Sequence, residues 1–220
     1  MVMADLVARL RAVDSCAVSD ALDTLGRPGA VLGLAPVWPS GGTVVGRART
    51  VVAGPRAGGG PGTHIASPVV DSAAPDDVIV IDNHGRTDVS CWGGLLAMAA
   101  ARRGVAGVVV DGACRDVPDC VDAGLPVFSR AVVPVSARGR IVQRDMDVPI
   151  QVAGVLVSPG DLVVADRNGV VFVAAEGAGE VVELAERIVA RERSMAEAVA
   201  AGRPVSEVMH DTRFPKVGQS

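Results

Sequence analysis

The sequence predicts a mixed α/β fold with a strand–helix–strand unit at its centre. Two short apolar segments, VIVID at 78–82 and GVVVD at 107–111, flank a helical segment at 92–103. Apolar runs of this length are typical of parallel strands that are buried on both faces. Segment 126–174 adds a series of strands with turns at ARGR, SPGD and DRNG, and 180–201 has the apolar stripe of a long amphipathic helix.

The N-terminal part of the chain is predicted to form two short helices and a strand. Apolar residues recur at helical spacing through 4–13. Ser15 or Ser19 is the expected cap of a second helix over 20–25, because a serine oxygen can accept from the free N–H groups of a first helical turn. The valine-rich segment 43–53 is predicted to be a strand.

The chain of 220 residues is predicted to be a single domain. Its hydrophobic content of 49% is enough for a full core, and with 2% aromatic residues that core must be aliphatic. We place the core at about 15–175, a C-terminal helical arm at about 178–205 and a tail at 206–220. The glycine-rich segment 54–62 is expected to be a flexible loop.

Composition and charge exclude several classes of function. A net charge of −4 and a pI of about 5.4 lack the basic footprint of a nucleic-acid binder. The N-terminal segment carries acids and no uninterrupted apolar run, so we expect neither a signal peptide nor a membrane span. The 4 cysteines form no CxxC pair and are expected to be reduced, mostly buried thiols of a cytoplasmic protein.

Lysine is nearly absent from the chain, and this limits its chemistry. The single lysine is Lys216, near the C-terminus, and every other basic side chain apart from histidine is an arginine. Cleavage of a bond next to a 2-oxo group requires an electron sink, which a protein can supply as a lysine imine or as a bound metal. Arginine forms no imine, so a metal is the expected sink if the chain carries this chemistry.

The segment 112–116, GACRD, is the first candidate for a functional site. It follows the second central strand, where ligands bind in open α/β sheets. One interpretation is structural, with Asp116 as a helix N-cap and Arg115 on the surface. The other is functional, with Arg115 holding an anionic substrate beside a carboxylate that binds a hard divalent ion.

The second candidate follows the first central strand. There NHGRTD at 83–88 leads into WGGLL at 92–96. Two glycines that open a helix, Gly93 and Gly94, let backbone N–H groups approach an anion, which the helix dipole also favours. The alternative is that they only allow close packing of helix on strand.

Together these segments resemble those of RraA-like proteins, a family that includes the metal-dependent 4-hydroxy-4-methyl-2-oxoglutarate aldolases. The family pattern has a W/F-G-x-L-L helix start, A-x-x-x-G-x-x-G-V-V-x-D-G-x-x-R-D, and a late P-G-D-x-x-x-x-D-x-x-G-V-V turn. At the corresponding places this chain has WGGLLAMAAARRGVAGVVVDGACRD and PGDLVVADRNGVVFV. The early segments SDALDTLG and GRARTVVAG also match, so the resemblance extends over about 15–205.

The resemblance implies a swivelling β/β/α domain with a C-terminal helical arm, assembled as a homotrimer or as a dimer of trimers, a homohexamer. It implies that Arg115 holds the carboxylate and the 2-oxo group of a pyruvate-type substrate. Asp116 would be the direct protein ligand of Mg²⁺ or Mn²⁺, with waters completing the coordination. Backbone N–H groups would reach the substrate from four residues: Gly93, Gly94, Leu95 and Leu96.

The resemblance also implies a catalytic glutamate that reaches the site through water from the arm of a neighbouring subunit. Glu192, in the RER segment of the arm, is the candidate for this role. The alternative is that Glu192 is only a solvated residue of the helix.

One position departs from the family pattern. The aldolases usually have an acid after the first glycine of W/F-G-x-L-L, and that acid orients the water that acts as base, whereas this chain has Gly94. His84 and Asp88 lie nearby in sequence and could supply the base, and His64 borders the glycine-rich loop. Loss of carbon dioxide from oxaloacetate requires no such base, so decarboxylation is predicted to outrun aldol cleavage.

The sequence as a whole favours a metal-dependent lyase that acts on pyruvate-type 2-oxo acids by retro-aldol cleavage, by oxaloacetate decarboxylation or by both. The first alternative is a non-catalytic regulator that binds a ribonuclease, as some RraA-like proteins do, but those lack the Arg–Asp pair that is present here. A methyltransferase is the second alternative. It is disfavoured because the glycine-rich segment 54–62 opens no clear helix.

Overall fold

The fold is built on a 9-stranded sheet and a separate two-stranded hairpin. The computed structural model describes residues 3–56 and 62–209; residues 57–61 of the glycine-rich segment, and Lys216 with the rest of 210–220, lie outside the described residues. The strands are β1 (Ala30–Val31), β2 (Ala35–Pro36), β3 (Val44–Pro55), β4 (Asp77–Trp92), β5 (Gly107–Cys114), β6 (Val127–Val132), β7 (Ile141–Met146), β8 (Ile150–Val152), β9 (Val155–Val157), β10 (Leu162–Asp166) and β11 (Gly169–Val173). The helices are α1 (Met3–Leu10), α2 (Ser15–Thr24), α3 (Ser67–Ser72), α4 (Gly94–Arg102), α5 (Val117–Asp122), α6 (Ala178–Ala200) and α7 (Val205–Val208).

Parallel strands form the centre of the sheet and antiparallel strands form its margins. The order is β1-β11-β10-β3-β4-β5-β6-β2, and β7 also pairs with β3. The pairs β3–β4, β4–β5 and β5–β6 are parallel. β5 is buried along its whole length, which explains its continuous run of apolar residues.

Three hydrophobic clusters hold helices and hairpin against the sheet. The first joins the central strands to α3, α4 and α5. The second joins β10 and β11 to α1, α2 and α6. The third lies between the sheet and the β8–β9 hairpin. The helices that follow β4 and β5 therefore pack on the centre of the sheet and the C-terminal helix packs over its β10–β11 margin, both on the face opposite to the β8–β9 hairpin.

The helices that flank the predicted central unit are observed, with one correction at the N-terminus. The second helix begins at Ser15, five residues earlier than predicted. Its cap is Asp14, whose carboxylate accepts from the N–H of Ala17 at 2.8 Å, so the prediction of a serine cap is wrong. Aspartate caps as well as serine does. Helix α3 was not predicted.

The segment after the first central strand differs from the prediction. The sequence predicted a strand over 78–82, but β4 continues to Trp92. His84 (φ 54°) and Gly85 (φ 69°) turn the backbone locally, and the N–H of His84 donates to Asp82 Oδ1 at 2.7 Å. After this irregularity the strand pairs with β5 again, so its sequence lacks the periodicity of a regular strand.

The second half of the chain agrees with the prediction. Strands β6–β11 occupy 127–173, and the turns at ARGR, SPGD and DRNG separate them, with glycines at positive φ in each. The predicted helix at 180–201 is α6, which buries Val181, Val182 and Ala185 and leaves its second half largely exposed. Within 3–56 and 62–209, no helix is both long enough and apolar enough to cross a membrane.

Candidate active site at the ends of strands β4 and β5

The register of two parallel strands brings the two candidate segments together. Trp92 at the end of β4 lies opposite Cys114 at the end of β5. The N–H of Arg115 then donates to the carbonyl oxygen of Trp92 at 3.0 Å. The glycines after Trp92 and the Arg115–Asp116 pair are therefore neighbours, at the sheet edge where ligands of α/β proteins bind.

Asp116 faces helix α4 and not the helix that it precedes. It holds the N-cap position of α5 in a left-handed conformation (φ 56°, ψ 43°), but its side chain makes no capping hydrogen bond there. Its Oδ2 instead accepts from the N–H of Gly94 at 3.2 Å and lies 3.2 Å from Arg115 Nε. Asp116 therefore holds the N-cap position of the structural interpretation, but its side chain does not cap α5.

Gly93 is required by the close approach of this pair. A Cβ atom on Gly93 would lie 2.8 Å from Asp116 Oδ2 and 3.4 Å from Arg115 Nε. The backbone of Gly93 is extended (φ −161°), a conformation that any residue adopts, so the space and not the conformation calls for glycine. Any side chain here would displace the Arg115–Asp116 pair.

The site combines a guanidinium group that can bind an anion with a carboxylate oxygen that is available to a cation. The side chains of Arg115 and Asp116 are 38% and 37% exposed, so both reach solvent. The first turn of α4 adds free N–H groups and the positive end of the helix dipole, and both favour an anion. Leu95 is exposed at this turn, whereas Leu96 is buried.

The donor chemistry of Asp116 fits a hard divalent ion. Within the described residues, the hydrogen bond from Gly94 and the ion pair with Arg115 both engage Oδ2 and leave Oδ1 available. Mg²⁺ is commonly bound through one or two carboxylates and keeps several waters, so a single exposed carboxylate is a donor of the right kind. In the described part of the chain, no cluster of three or more His, Cys, Asp or Glu side chains is arranged to hold a metal.

Comparison with known proteins identifies the family. The model of the RraA-like family, described as Aldolase/RraA, matches residues 15–172. This chain belongs to the RraA-like family. Its mixed α/β fold and the resemblance of its motifs are thereby confirmed.

Relatives of this RraA-like chain carry more than one name. A Halalkalibacterium halodurans protein that is named, provisionally, a 4-hydroxy-4-methyl-2-oxoglutarate aldolase is 32% identical over 93% of this chain and 95% of its own length. Protein DlpA of Legionella pneumophila is 34% identical over 95% of this chain, and the chain spans only 34% of DlpA.

Solved structures agree with the fold of this RraA-like chain. An uncharacterized protein from Pseudomonas syringae pv. tomato has a TM-score of 0.84 and 32% identity, covering 93% of this chain and 96% of its own. RraAS2 of Streptomyces coelicolor, described as an unusual member of the RNase ES inhibitor RraA family, has a TM-score of 0.75 and 30% identity, covering 90% and 96%.

The sequence-based candidates for a base are engaged elsewhere. His84 Nδ1 lies 3.2 Å from Asp82 Oδ1. Asp88 accepts from Arg86 at 2.8 and 3.0 Å, and these hydrogen bonds lower the pKa of Asp88. The ring of His64 contacts the carbonyl oxygen of Ile65 at 3.0 Å. None of these contacts involves the Arg115–Asp116 pair.

Glu192 lies on α6, which packs mainly on α1, α2 and α7, whereas α5 packs on α4. Burial raises its pKa, and the nearby carboxylates of Asp14 and Asp20 raise it further. It also lines a groove of about 500 Å³ between α6 and α7. Among the described residues, no hydrogen bond or ion pair joins Glu192 to Arg115 or Asp116 within one chain, so the predicted role of Glu192 depends on a neighbouring subunit.

Three thiols lie beneath the site. Cys91, Cys114 and Cys120 are buried and free, whereas Cys16 is exposed. Burial raises the pKa of Cys120 to about 11 and raises that of the other two as well. Buried thiols with raised pKa values are poor nucleophiles, so these cysteines fill the core, as predicted.

Sequence reasoning missed Asp119, which lies against Gly94. A Cβ atom on Gly94 would come within 2.5 Å of Asp119 Cβ and 2.7 Å of Asp119 Cγ. The only signal in the sequence is that Asp119 follows Asp116 by three residues, a spacing that makes two side chains neighbours at the start of a helix. The contact with Gly94 depends on how α4 packs on α5, which the sequence does not state.

Proposed function

We propose that this chain is a divalent-metal-dependent lyase that cleaves a carbon–carbon bond in pyruvate-type 2-oxo acids. The observation that carries the proposal is the Arg115–Asp116 pair beside the N-terminus of α4. A planar guanidinium, a helix N-terminus and an available carboxylate oxygen are what an anionic 2-oxo acid and a hard cation require. The names of several relatives point to the same class of reaction.

Arg115 is assigned to the substrate carboxylate and the 2-oxo oxygen. Its contact with Asp116 fixes the guanidinium through Nε and leaves the terminal nitrogens for a two-pronged grip. Negative charge develops on the 2-oxo oxygen as the bond breaks, and a fixed positive group stabilises it without reorganisation. The N–H groups of the first α4 turn orient the substrate against this group.

Asp116 is assigned to the metal, through its Oδ1. Bound Mg²⁺ or Mn²⁺ would act as a Lewis acid toward the 2-oxo group, a role that the near absence of lysine leaves open. The hydrogen bond from Gly94 holds the carboxylate in place. Glu192 of a neighbouring subunit is assigned to the opposite side of the site, acting through water.

Pyruvate release provides the test. The purified protein is incubated with oxaloacetate and with 4-hydroxy-4-methyl-2-oxoglutarate, each with added Mg²⁺ or Mn²⁺ and each after exhaustive chelation by EDTA. We expect metal-dependent pyruvate formation from both substrates. Full activity after chelation, or no pyruvate from either substrate with metal present, contradicts the proposal.

Regulation of a ribonuclease is the second candidate, favoured by the likeness to RraAS2 of Streptomyces coelicolor. A non-catalytic regulator has no use for an arginine–aspartate pair held at a helix N-terminus. This candidate predicts no pyruvate formation together with inhibition of an RNase E-type nuclease by the purified chain. A cleavage assay on a labelled RNA substrate distinguishes the two functions.

A further inference from the structure

A second carboxylate stands at the first residue of α4. Asp119, in the first turn of α5, occupies the space that a side chain on Gly94 would fill. Gly94 also donates its N–H to Asp116. Two carboxylates with different surroundings therefore flank the same residue: one beside the Arg115 guanidinium, the other exposed to solvent.

Retro-aldol cleavage needs a base at this site, and Asp119 lies beside the residues where such a base is required. The substrate hydroxyl must lose its proton to a base within reach of the bound 2-oxo acid. His84 and Asp88 contact Asp82 and Arg86, respectively, and neither contact involves the Arg115–Asp116 pair. In the described residues, Asp119 is the carboxylate other than Asp116 whose side chain packs against the Gly93–Gly94 step.

We propose that Asp119 is the proton acceptor of retro-aldol cleavage, an inference that rests on the proposed lyase function. The Asp119 carboxylate takes the proton of the C4 hydroxyl, directly or through one water. The C4–O bond becomes a carbonyl, the C3–C4 bond breaks, and its electron pair moves into an enolate whose oxygen faces Arg115. The proton returns from Asp119 to C3, which regenerates the carboxylate and releases pyruvate.

Asp119 also has a structural role, because an acid in the first turn of a helix interacts favourably with the helix dipole. Asp122 provides the matched control, since it is an exposed aspartate in the last turn of the same helix. Asp119→Asn and Asp122→Asn remove the same charge from α5, but Asp119 alone contacts the Gly94 position.

The experiment measures two reactions in parallel, with metal present. Asp119→Asn should lower kcat for cleavage of 4-hydroxy-4-methyl-2-oxoglutarate by roughly 10²- to 10⁴-fold, the usual contribution of a general base. Its KM, its affinity for pyruvate by calorimetry, its thermal unfolding midpoint and its oxaloacetate decarboxylation should stay close to those of the unchanged protein. Asp122→Asn should leave all of these quantities unchanged.

Moving the carboxylate from α5 to α4 provides a second test of the same proposal. Gly94→Asp alone should be damaging, because its Cβ would collide with Asp119. Combined with Asp119→Gly, it puts a carboxylate into the same space from α4. Recovery of aldol cleavage relative to Asp119→Gly alone supports a role set by position.

Three results would overturn the inference and leave the lyase function standing. These are unchanged aldol cleavage in Asp119→Asn, an equal loss of both reactions, and decarboxylation without any aldol cleavage by the unchanged protein. Absence of both reactions in the unchanged protein overturns the proposed function and the inference together.

Discussion

The backbone conformation and the side-chain contacts of Asp116 place different requirements on a substitution. Its positive φ is tolerated by asparagine better than by alanine, and an asparagine oxygen can still accept from Gly94. Asp116→Asn should therefore change the free energy of unfolding by no more than about 1 kcal/mol while abolishing Mn²⁺ binding and activity. Calorimetric titration with Mn²⁺ and urea denaturation check both parts. Retained Mn²⁺ affinity would show that the metal binds elsewhere.

We expect activity to require the planar guanidinium group of Arg115. A lysine at 115 keeps the charge, but a single ammonium cannot contact Asp116 and hold a carboxylate with two parallel hydrogen bonds. Hydrogen bonds to charged groups contribute about 1.5–3 kcal/mol, so Arg115→Lys should lower kcat/KM for oxaloacetate by roughly 10- to 100-fold. Arg138→Lys, an exposed arginine in the turn before β7, is the control. A kcat/KM near that of the unchanged protein excludes the two-pronged grip.

The sequence singled out Arg115 and Asp116 because their types and their place after a buried strand are visible in one dimension. Asp119 was not singled out, since its importance depends on a contact between α4 and α5. The prediction that decarboxylation outruns aldol cleavage rested on Gly94 alone. With a carboxylate from Asp119 beside Gly94, the ratio of the two reactions is expected to depend on Asp119.

At the scale of elements, the sequence predicted the regular strand β5 and the regular helix α6, but not the irregular strand β4. β5 is a continuous apolar strand, and α6 has an apolar stripe, so both were found within a few residues. After a local turn at His84, next to the fully buried Asn83, β4 pairs with β5 again from Arg86 to Trp92. This return places Gly93 beside Arg115, so the missed element is the one that builds the site.

The step from β4 into α4 should therefore be sensitive to a single methyl group. Gly93→Ala is compatible with the extended backbone, but its Cβ would lie 2.8 Å from Asp116 Oδ2, so the carboxylate must move. A displacement on the order of 1 Å in a catalytic group can cost about 10²-fold in rate. We expect kcat/KM to fall by roughly 10- to 100-fold with an unfolding midpoint close to that of the unchanged protein.

Gly41→Ala is the matched control for this variant. A Cβ atom on Gly41 would meet nothing within 4 Å, and its φ is not positive. It should leave both kcat/KM and stability unchanged. Equal effects of the two substitutions, or full activity of Gly93→Ala, would contradict the requirement for glycine at the site.

At the scale of the whole molecule, the packing of the helices decides which residues can meet. Arg115 and Asp116 follow β5 beside α4 and α5 at the centre of the sheet, whereas Glu192 projects from the exposed half of α6, which packs over the sheet margin with α1 and α2. The sequence predicted both positions but contains no information on how two chains would pack. A site that combines Arg115 with Glu192 requires one residue from each of two subunits.

Mixed oligomers test this arrangement directly. Arg115→Ala and Glu192→Gln should each be inactive alone, because every site in either protein lacks one of the two groups. When the two proteins are unfolded together and refolded at equal amounts, a site regains both groups if its Arg115 comes from the Glu192→Gln chain and its Glu192 from the other. Random assortment in a cyclic homo-oligomer gives about one quarter of the sites this composition, so about one quarter of the original activity should return. Analytical ultracentrifugation should show a trimer or a hexamer under the same conditions. Three results would each contradict a role for Glu192 in the site and leave it a solvated residue of α6. These are a mixed oligomer that recovers no activity, a monomer that is active, and a Glu192→Gln protein that is fully active.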